Sequence, residues 1–467
     1  MNDFLHRAAA LVGPAHLLTD PADMAAFATD WRGRYHGRPL AVALPGSTGE
    51  VAALVALCRD AGVPVVPQGG NTGTVGAATP DDSGRELVIA LRRLNRIREL
   101  DPDNATITVE AGCILTDVHT AAAAAGLLFP LSLASEGSCQ IGGNLAANAG
   151  GLAVLRYGTM RELTLGIEAV LPDGRVLHQL KGLRKNNVGL DAKQLLIGTE
   201  GTLGLITAAT LKLYPLPEAR ATAMMAVASP AEATGWLRRL QRRFGDRLTT
   251  FELVSGLCLQ LLARHLPEVR QPLAADWLVL FELSDGGSQT ALDEALMEWL
   301  AAQADLGDAV LAQSERERAE LWRVREELSE AQKRDGISLK HDIALPVSKV
   351  PAFLDECGRR LGQAFPGCRI VTFGHLGDGN LHYNVSYTRP DNRDLLADEA
   401  AVQDIVFGCA CELGGTLSAE HGIGQLRRAA LGRFHDPATL DLMRLIKSAL
   451  DPQIGRASCR ERVSSPV

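Results

Sequence analysis

The sequence predicts an α+β chain of two domains, and three observations support this prediction. A strand, helix, strand pattern follows Pro39, two glycine-rich segments come after it, and beyond Pro217 the chain turns to long helices that alternate with apolar strands. The 467 residues are enough for two or three domains of ordinary size. The change of composition near Pro217 favours two, with a second domain that begins near Glu218.

Charge and composition exclude several classes of protein. Lys and Arg number 47 against 55 Asp and Glu, a net charge of −8, so nucleic acid would meet no excess of positive charge. The 46 glycines and the low aromatic content point to backbone loops as the binding elements. The nine cysteines form no CxxC pair, which favours a reducing compartment, and neither the N-terminus nor the uncharged run 118–135 is typical of a secretory signal or a membrane span. We therefore expect a cytoplasmic enzyme without a transmembrane segment.

The elements of the first domain are predicted from apolar runs separated by turn signals. LAVALPGS and VPVVPQGG predict two strands, and the helix between them begins near Ser47 and ends at Gly62. Further strands are predicted at 86–91, 105–112, 165–174 and 205–215.

The second domain is predicted to combine helices and strands. Helices are expected at 231–244, 288–303, 314–334 and 401–413, and strands at WLVLFEL and RIVTFGH. The pair Gly414 and Gly415 ends the helix 401–413 and places Glu420 and His421 in a loop.

Two glycine-rich segments, PQGGNTGTVG (67–76) and SEGSCQIGGNLAANAGG (135–151), are candidates for binding a phosphate group. Clustered glycines let backbone N–H groups approach an anion because no Cβ blocks the approach. Tight turns without a ligand are the alternative. Neither segment has the spacing of a dinucleotide-binding GxGxxG motif or of a P-loop.

The run RIVTFGHLGDGNLHYNVSY predicts a β-hairpin that pairs two histidines. If the turn is centred between Asp378 and Gly379, His375 and His382 lie directly opposite each other, with Asn384 on the same face. Two imidazoles so placed suit one metal ion, and the loop with Glu420 could add a carboxylate. A hairpin without a metal is the alternative.

Three polar residues of 314–342 could hold a carboxylate. Arg325 and Ser329 are four residues apart on the predicted helix 314–334, and Lys340 lies on the strand that follows. An Arg, a hydroxyl and a Lys are suited to bind a carboxylate, with bidentate geometry from the guanidinium. A solvated, salt-bridged helix face is the alternative.

Six segments carry a resemblance to a known family. They are PQGGNTGTVG, LSLASEGSCQIGGNLAANAGG, RYGTMRELTLGIEAVLPDG, LRKNNVGLDAKQLLIGTEGTLGLITAATLKL, GHLGDGNLHYN and SAEHGIG. Over residues 38–452 the chain resembles the FAD-linked oxidases of the vanillyl-alcohol-oxidase superfamily, most of all the D-2-hydroxyglutarate dehydrogenases. The resemblance implies a PCMH-type FAD-binding domain of two α+β subdomains and an α+β cap domain that supplies the substrate site.

The resemblance assigns FAD to the glycine-rich segments and their neighbours. The implied cofactor-binding residues are Pro67, Gln68, Gly69, Gly70, Asn71, Thr72, Gly73, Ser132, Glu136, Gly137, Ser138, Ile141, Gly142, Asn144, Asn148, Gly150, Gly151, Tyr157, Gly158, Gly201 and Ile206. Some superfamily members bind flavin covalently through a His in the first loop. That loop has no His here, so we expect FAD to be bound non-covalently.

The resemblance also assigns a metal and the substrate. It implies His375, His382 and Glu420 as ligands of a divalent metal, usually zinc, and His421 as the base beside it. The residues implied to bind substrate are Arg325, Ser329, Lys340, Asn384 and His421. Human-type members have Thr in place of Ser329, so the preference for substrate chain length is open.

The function implied is oxidation of a D-2-hydroxy acid, with D-2-hydroxyglutarate as the expected substrate and 2-oxoglutarate as the product. No side chain accepts a hydride, so this reaction needs a flavin. D-lactate dehydrogenase and the FAD subunit of glycolate oxidase are alternatives, as are a non-redox alkyl-dihydroxyacetone-phosphate synthase and an electron-transfer subunit. Electron-transfer flavoprotein or a quinone is the expected acceptor, and a homodimer is a further expectation.

The expected domain organisation has five parts. They are an N-terminal helical segment (1–37), the FAD-binding domain (38–217), the substrate domain with the metal site (218–430), a helix that returns to the FAD domain (431–453) and a tail (454–467). The tail replaces the family's usual Asn-Pro-Gly-Lys ending. Residues 454–463 resemble an in-frame translation of a sequencing adapter, so we expect the tail to be non-native; a genuine basic tail is the alternative.

Overall fold

A computed structural model describes residues 2–387 and 393–452. The chain divides into two compact units. The first comprises the residues up to Gly151, the segment Gly158–Leu216 and the segment that begins at Glu420; the second comprises Leu152–Tyr157 and Pro217–Ala419. The division after Leu216 lies close to the expected boundary, but residues 420–430, which the sequence assigns to the second domain, lie in the first unit. The predicted non-native tail lies outside the described residues.

The segment up to Pro215 contains short helices and two main sheets. Its helices are α1 (Asn2–Val12), α2 (Pro21–Ala28), α3 (Thr48–Ala61), α4 (Leu115–Ala124), α5 (Ile141–Ala147), α6 (Val154–Tyr157, in the second unit) and α7 (Met160–Leu163), with 3-10 helices at Pro14–His16 and Ala192–Leu195. Its strands are β1 (Leu17–Leu18), β2 (Ala41–Ala43), β3 (Val65–Gln68), β4 (Leu87–Ala90), β5 (Ile97–Asp101), β6 (Thr106–Glu110), β7 (Leu127–Leu128), β8 (Thr164–Val170), β9 (Val176–Gln179), β10 (Leu205–Lys212) and β11 (Tyr214–Pro215).

The β-α-β prediction is confirmed in the first sheet, whose strand order is β1-β2-β4-β3. β2 and β3 both pair in parallel with β4, and α3 connects them. Ser47 caps α3 by accepting a hydrogen bond from the backbone N–H of Glu50, and Gly62 ends it in the left-handed conformation at φ 66°. The apolar face of α3 packs on the sheet through Val51, Leu54 and their neighbours.

The second sheet is antiparallel, with the order β5-β6-β10-β8-β9. The predicted strands at 105–112, 165–174 and 205–215 correspond to β6, β8 and β10, although β8 ends at Val170 and β10 at Lys212. The edge strands β5 and β9 were not predicted. Their side chains are mostly exposed, so they lack the apolar alternation that identifies a half-buried strand.

The second unit is built on a seven-stranded sheet. Its strands are β12 (Ala219–Val227), β13 (Leu248–Ser255), β14 (Trp277–Asp285), β15 (Ala309–Leu311), β16 (Leu339–Ala344), β17 (Cys368–Gly374) and β18 (Asn380–Tyr387), in the order β15-β12-β14-β13-β17-β18-β16. Its further helices are α8 (Pro230–Phe244), α9 (Gly256–His265), α10 (Gln289–Ala301), α11 (Glu315–Glu326), α12 (Leu328–Asp335), α13 (Val350–Ala364), α14 (Arg393–Ala397) and α15 (Glu399–Glu412), with 3-10 helices at Gly245–Arg247 and Val347–Lys349. The chain then returns to the first unit with α16 (Arg428–Phe434) and α17 (Pro437–Leu450).

Helices cover both faces of the large sheet. α9, α11 and α12 pack on the face that carries Val254, Leu280 and Phe373. On the opposite face, the ring of Phe353 from α13 packs 5.1 Å from that of Tyr383, and Phe407 from α15 packs 5.5 Å from His341. Within the described part of the chain, no helix is long and apolar enough to cross a membrane.

Two local predictions in the second unit are wrong. The single helix expected over 314–334 is interrupted at Glu327, where ψ is −2°, so α11 and α12 are separate helices. The hairpin register also differs from the prediction, since His382 pairs with Phe373 rather than with His375. The turn is therefore centred one residue earlier than expected. Gly379, with φ 85°, packs so closely on the Leu345 carbonyl oxygen that a Cβ would lie 2.0 Å from it.

Candidate active site

The two glycine-rich segments lie against each other in the first unit. A Cβ on Gly70 would lie 2.2 Å from the carbonyl oxygen of Ser138, and one on Gly69 would lie 3.5 Å from the backbone of Gly143. A side chain at Gly70 would therefore separate the two segments. This contact brings together backbone groups from residues that are about 70 positions apart in the sequence.

The polar side chains of the first loop hold the loop in place. Gln68 donates from Nε2 to the carbonyl oxygens of Phe27 and Ala78, each at 2.9 Å. Asn71, at φ 53°, donates from Nδ2 to the carbonyl oxygen of Thr29 at 2.8 Å. Because both amide groups are engaged within the protein, the loop offers a ligand chiefly its backbone.

The same region has open space where a ligand could lie. A Cβ built on Gly73, Gly137 or Gly143 would have no atom within 4 Å apart from those of its sequence neighbours and, for Gly143, of its own helix. Open backbone beside a glycine-rich contact is suited to a phosphate group, since N–H groups can point at an anion without steric hindrance. These residues therefore fit the pyrophosphate of a dinucleotide.

Other residues predicted to bind the cofactor support the two segments. Asn148 ends α5 at φ 50° and accepts a hydrogen bond from the Arg161 N–H at 2.9 Å. Further supporting contacts join Gly201 to Pro67, Gly151 to the Ser132 carbonyl oxygen and Gly142 to Ala111. Ile141, Asn144 and Gly150 are buried, as is Ile206 in β10, while Thr72 and Glu136 are half-buried; Gly158 packs against Glu162, and Tyr157 ends α6.

The HGIG part of the SAEHGIG motif is held in the first unit by its backbone. Glu200 accepts hydrogen bonds from the N–H groups of Ile423 and Gly424. A Cβ on Gly422 would lie 2.2 Å from Glu200 Oε1, and one on Gly424 would lie 2.2 Å from the Val75 carbonyl oxygen. Both glycines also have positive φ. The motif therefore requires glycine at these positions, which sequence spacing alone did not explain.

The two predicted metal-binding histidines are close together despite the changed hairpin register. His382 on β18 lies opposite Phe373 on β17, and His375 lies two residues beyond Phe373, so both histidines are on one face of the hairpin. Their ring centroids are 5.6 Å apart, and the His382 ring also packs 4.9 Å from that of Phe373. A diagonal contact thus replaces the direct pair that the sequence predicted.

Glu420, the third predicted metal ligand, is the first residue of the last segment of the first unit. The preceding residue, Ala419, donates its N–H to the Asp342 carbonyl oxygen on β16 at 3.2 Å, and β16 pairs with β18. Two imidazoles and a carboxylate are the donor set of many zinc sites that keep positions open for substrate. The residues therefore fit a divalent metal. His421, half-buried, follows in the same loop.

A buried carboxylate that the sequence did not predict contacts this set. Glu252 on β13 is fully buried; its Oε1 lies 2.6 Å from His375 Nδ1, and its Oε2 accepts a hydrogen bond of 2.6 Å from Arg325 Nε. Burial by itself raises the pKa of a carboxyl group, but the charges of His375 and Arg325 lower that of Glu252 to about 2. The sequence signal that could have identified Glu252 was a charged residue within the apolar run TTFELVS.

The residues of the predicted carboxylate clamp have different environments. Arg325 on α11 is buried, with its Cζ 4.7 Å from the ring centroid of Phe373. Lys340 and Asn384 are direct cross-strand neighbours on β16 and β18, and Asn384 donates from Nδ2 to Gln332 Oε1 at 2.8 Å. Ser329 is exposed on α12. The break at Glu327 removes the argument that placed Ser329 on the same helical face as Arg325.

Family models match both parts of the chain. The model described as FAD binding domain matches residues 39–179, and the model described as FAD linked oxidases, C-terminal domain, matches residues 216–454. The chain belongs to the FAD-linked oxidase family. It is an FAD-dependent oxidoreductase, and the domain that contains both glycine-rich segments is its FAD-binding domain.

Curated relatives of this FAD-linked oxidase match over nearly its full length. The mitochondrial D-2-hydroxyglutarate dehydrogenase of Bos taurus is 35% identical over 95% of this chain and 80% of the relative. The D-2-hydroxyglutarate dehydrogenase of Xanthomonas citri pv. viticola is 37% identical over 94% of this chain and 92% of the relative. The resemblance drawn from six motifs is therefore confirmed.

A solved structure confirms the fold of this FAD-linked oxidase. The crystal structure of p-cresol methylhydroxylase with substrate bound superposes with a TM-score of 0.78 at 15% identity, covering 99% of this chain and 96% of the other. The predicted α+β, PCMH-type class is thus confirmed.

Proposed function

We propose that the chain is an FAD-dependent dehydrogenase of D-2-hydroxy acids, with D-2-hydroxyglutarate as substrate and 2-oxoglutarate as product. The observation that carries this proposal is the pair of His375 and His382, whose ring centroids are 5.6 Å apart, with Glu420 as the proposed third ligand of the triad. The names of the bovine and Xanthomonas relatives support the substrate. The proposed metal is zinc, because two imidazoles and one carboxylate suit it and leave coordination positions for a hydroxyl and a carboxylate.

The two glycine-rich segments would hold FAD, which would supply the hydride acceptor for substrate C2, and His375, His382 and Glu420 would hold a divalent metal, which would lower the pKa of the substrate hydroxyl. His421 accepts the hydroxyl proton, a role suited to an imidazole, which titrates near neutral pH. Its position next to Glu420 in the loop supports this assignment.

Arg325 and Lys340 are proposed to hold the distal carboxylate of a dicarboxylic acid, and Asn384 the carboxylate at C1. Arg325 uses Nε to bind Glu252, and no residue that the structure describes accepts a hydrogen bond from its two terminal nitrogens. Those nitrogens are suited to a bidentate carboxylate contact. Ser329 is proposed as a weaker contributor, since it is exposed on α12.

The proposed FAD site comprises the residues assigned to the cofactor above, and the proposed attachment is non-covalent. The first loop has Gln68 and Asn71 rather than a His, and both side chains hold the loop. Acid precipitation of the purified protein should leave the flavin in the supernatant. Flavin that stays with the precipitate would contradict non-covalent binding.

The decisive experiment for the substrate is anaerobic reduction of the bound flavin. We expect D-2-hydroxyglutarate to bleach the flavin absorption at a lower concentration than D-lactate or glycolate, because two cationic side chains favour a second carboxylate. A faster reaction with D-lactate would favour the lactate dehydrogenase alternative. Failure of all three acids would contradict the proposed function.

The role of His421 has its own test. His421→Ala should slow flavin reduction by about 10²–10⁴-fold, the usual contribution of a general base. FAD content and zinc content should stay at the wild-type level. Normal bleaching in this variant would exclude His421 as the base.

Several further features remain proposals. Electron-transfer flavoprotein or a quinone is the proposed electron acceptor, a homodimer the proposed assembly, and the cytoplasm the proposed location; the bovine relative is named as mitochondrial. The sequence-based domain bounds also remain a proposal. Reduction of electron-transfer flavoprotein by the protein and substrate together would support the acceptor assignment.

A further inference from the structure

The buried Glu252 lies at the centre of an unusual set of contacts in the second unit. It is on β13, and the cross-strand pairs Val254–Phe373 and Phe373–His382 place it on the same sheet face as His382. α11 covers this face and brings Arg325 to the carboxylate. One carboxylate thus meets a predicted metal ligand and a predicted substrate-binding residue.

The two oxygens of Glu252 have separate partners. Oε1 contacts His375 Nδ1 and Oε2 contacts Arg325 Nε, each at 2.6 Å. Because Nδ1 of His375 faces Glu252, Nε2 is the ring nitrogen that would bind the metal. Metal-binding histidines commonly donate their other N–H to a carboxylate, which fixes the ring orientation and makes the metal-binding nitrogen more basic.

A second contact joins Arg325 to the other histidine. The guanidinium lies over one side of the Phe373 ring, whose centroid is 4.7 Å from Arg325 Cζ, and the same ring packs 4.9 Å from His382. Arg325 is therefore connected to His375 through Glu252 and to His382 through Phe373. These contacts are all among buried or half-buried side chains.

We infer that Glu252 is a positioning residue that fixes the metal-binding histidine and the substrate-binding arginine relative to each other. This inference rests on the proposed function. By holding both groups, Glu252 sets the spacing between the end of the substrate that binds at the triad and the distal carboxylate. It is thereby a determinant of specificity for a dicarboxylic acid that acts through His375 and Arg325.

The test compares Glu252→Gln with a matched control, Glu282→Gln. Glu282 lies on the same sheet face, on the neighbouring strand β14, and contacts α11 through Trp322 Nε1 at 3.0 Å, with Arg318 at 3.8 Å. Both substitutions remove a buried carboxylate beneath α11. Only Glu252 contacts a histidine of the triad.

Zinc affinity of the purified, FAD-containing protein is measured by competition with a chelator. Glu252→Gln should weaken zinc binding by about 10–100-fold, the usual effect of losing a partner of a metal ligand, while Glu282→Gln stays near wild type. Glu252→Asp keeps the buried charge but is one methylene shorter, so it cannot reach both partners; it should also weaken binding while retaining FAD. If Glu252→Gln does not fold, the zinc affinity of Glu252→Asp provides the test.

A second measurement tests specificity. The ratio of kcat/KM for D-2-hydroxyglutarate to that for D-lactate, at saturating zinc, should fall about tenfold or more in the Glu252 variants, since a charge-assisted contact is lost. Zinc affinity and substrate ratio equal to those of Glu282→Gln would overturn the inference and leave the proposed function intact. Absence of zinc binding in the wild-type protein would instead overturn the proposed metal site, and this inference with it.

Discussion

Two buried glutamates, one in each unit, are held by the same kinds of partner. Glu168 on β8 accepts hydrogen bonds from Arg98 and lies 2.9 Å from His178 Nδ1, as Glu252 does with Arg325 and His375. Burial raises the pKa of each carboxyl group, but the basic partners, with Thr48 at Glu168, lower both to about 2. The pKa shift therefore does not distinguish a structural site from a functional one.

The two glutamate sites differ in the surroundings of their histidines, His178 and His375. The side chain of His178 is 70% exposed on the edge strand β9, whereas that of His375 is 9% exposed and lies beside His382. Glu168 joins strands of one sheet, since Arg98 is on β5 and Thr207 on β10. Glu252 instead joins a strand to a helix and to the end of the hairpin.

The largest expected contrast comes from removing each histidine. His375→Ala should reduce zinc content to background and slow turnover by about 10²–10⁴-fold, because a Lewis acid contributes several kcal/mol to stabilising the transition state. His178→Ala should leave both unchanged, since it removes an exposed partner of Glu168. Zinc content is measured by elemental analysis. Equal zinc content in the two variants would contradict the assigned ligand.

An intermediate contrast is expected from the two arginines. Arg325→Lys should raise KM for D-2-hydroxyglutarate by about 10–100-fold, because Lys cannot offer a planar fork to a carboxylate while it contacts Glu252. Arg98→Lys should leave KM unchanged and only lower the melting temperature. Steady-state kinetics and thermal unfolding of both variants provide the measurement. A raised KM in Arg98→Lys would show that the first pair is also functional.

The smallest contrast is one of stability and depends on pH. Glu168→Gln should lower the melting temperature by about 2–4 °C at pH 7, since the paired carboxylate contributes about 1–2 kcal/mol. The pKa of Glu168 is lower in the folded state, about 2, than its ordinary value of 4.5. Its contribution is therefore complete well above pH 4.5 and is lost as the pH falls from about 4.5 towards 2. A difference that does not shrink at low pH would exclude the ion pair as its cause.

The fold was largely predictable from local signals. α3 has a Ser47 cap, an apolar face and a terminating Gly62, and all three signals are present in the sequence. The closeness of His375 and His382 was also predictable, because a Gly-Asp-Gly turn between two apolar runs indicates a hairpin. The hairpin register was not predictable, since Gly379 in the turn packs against Leu345, just beyond the end of β16, and the local sequence does not show this contact.

The missed part of the site depends on contacts between distant residues. Glu252 is 73 residues from Arg325 and 123 from His375, so no spacing rule relates them. The break at Glu327 has a similar explanation: the residues on either side favour helix, and only the backbone geometry at that position separates α11 from α12. A lone Glu within TTFELVS was the available clue.

The approach of Gly424 to Val75 has a consequence for the order in which the protein can be completed during synthesis. The Gln425 N–H donates to the Val75 carbonyl oxygen at 2.8 Å, and its side chain reaches the Gly76 carbonyl oxygen across 349 residues. Contacts of such sequence separation form late. The end of the first glycine-rich segment therefore lacks this support until the chain has been synthesised beyond Gln425.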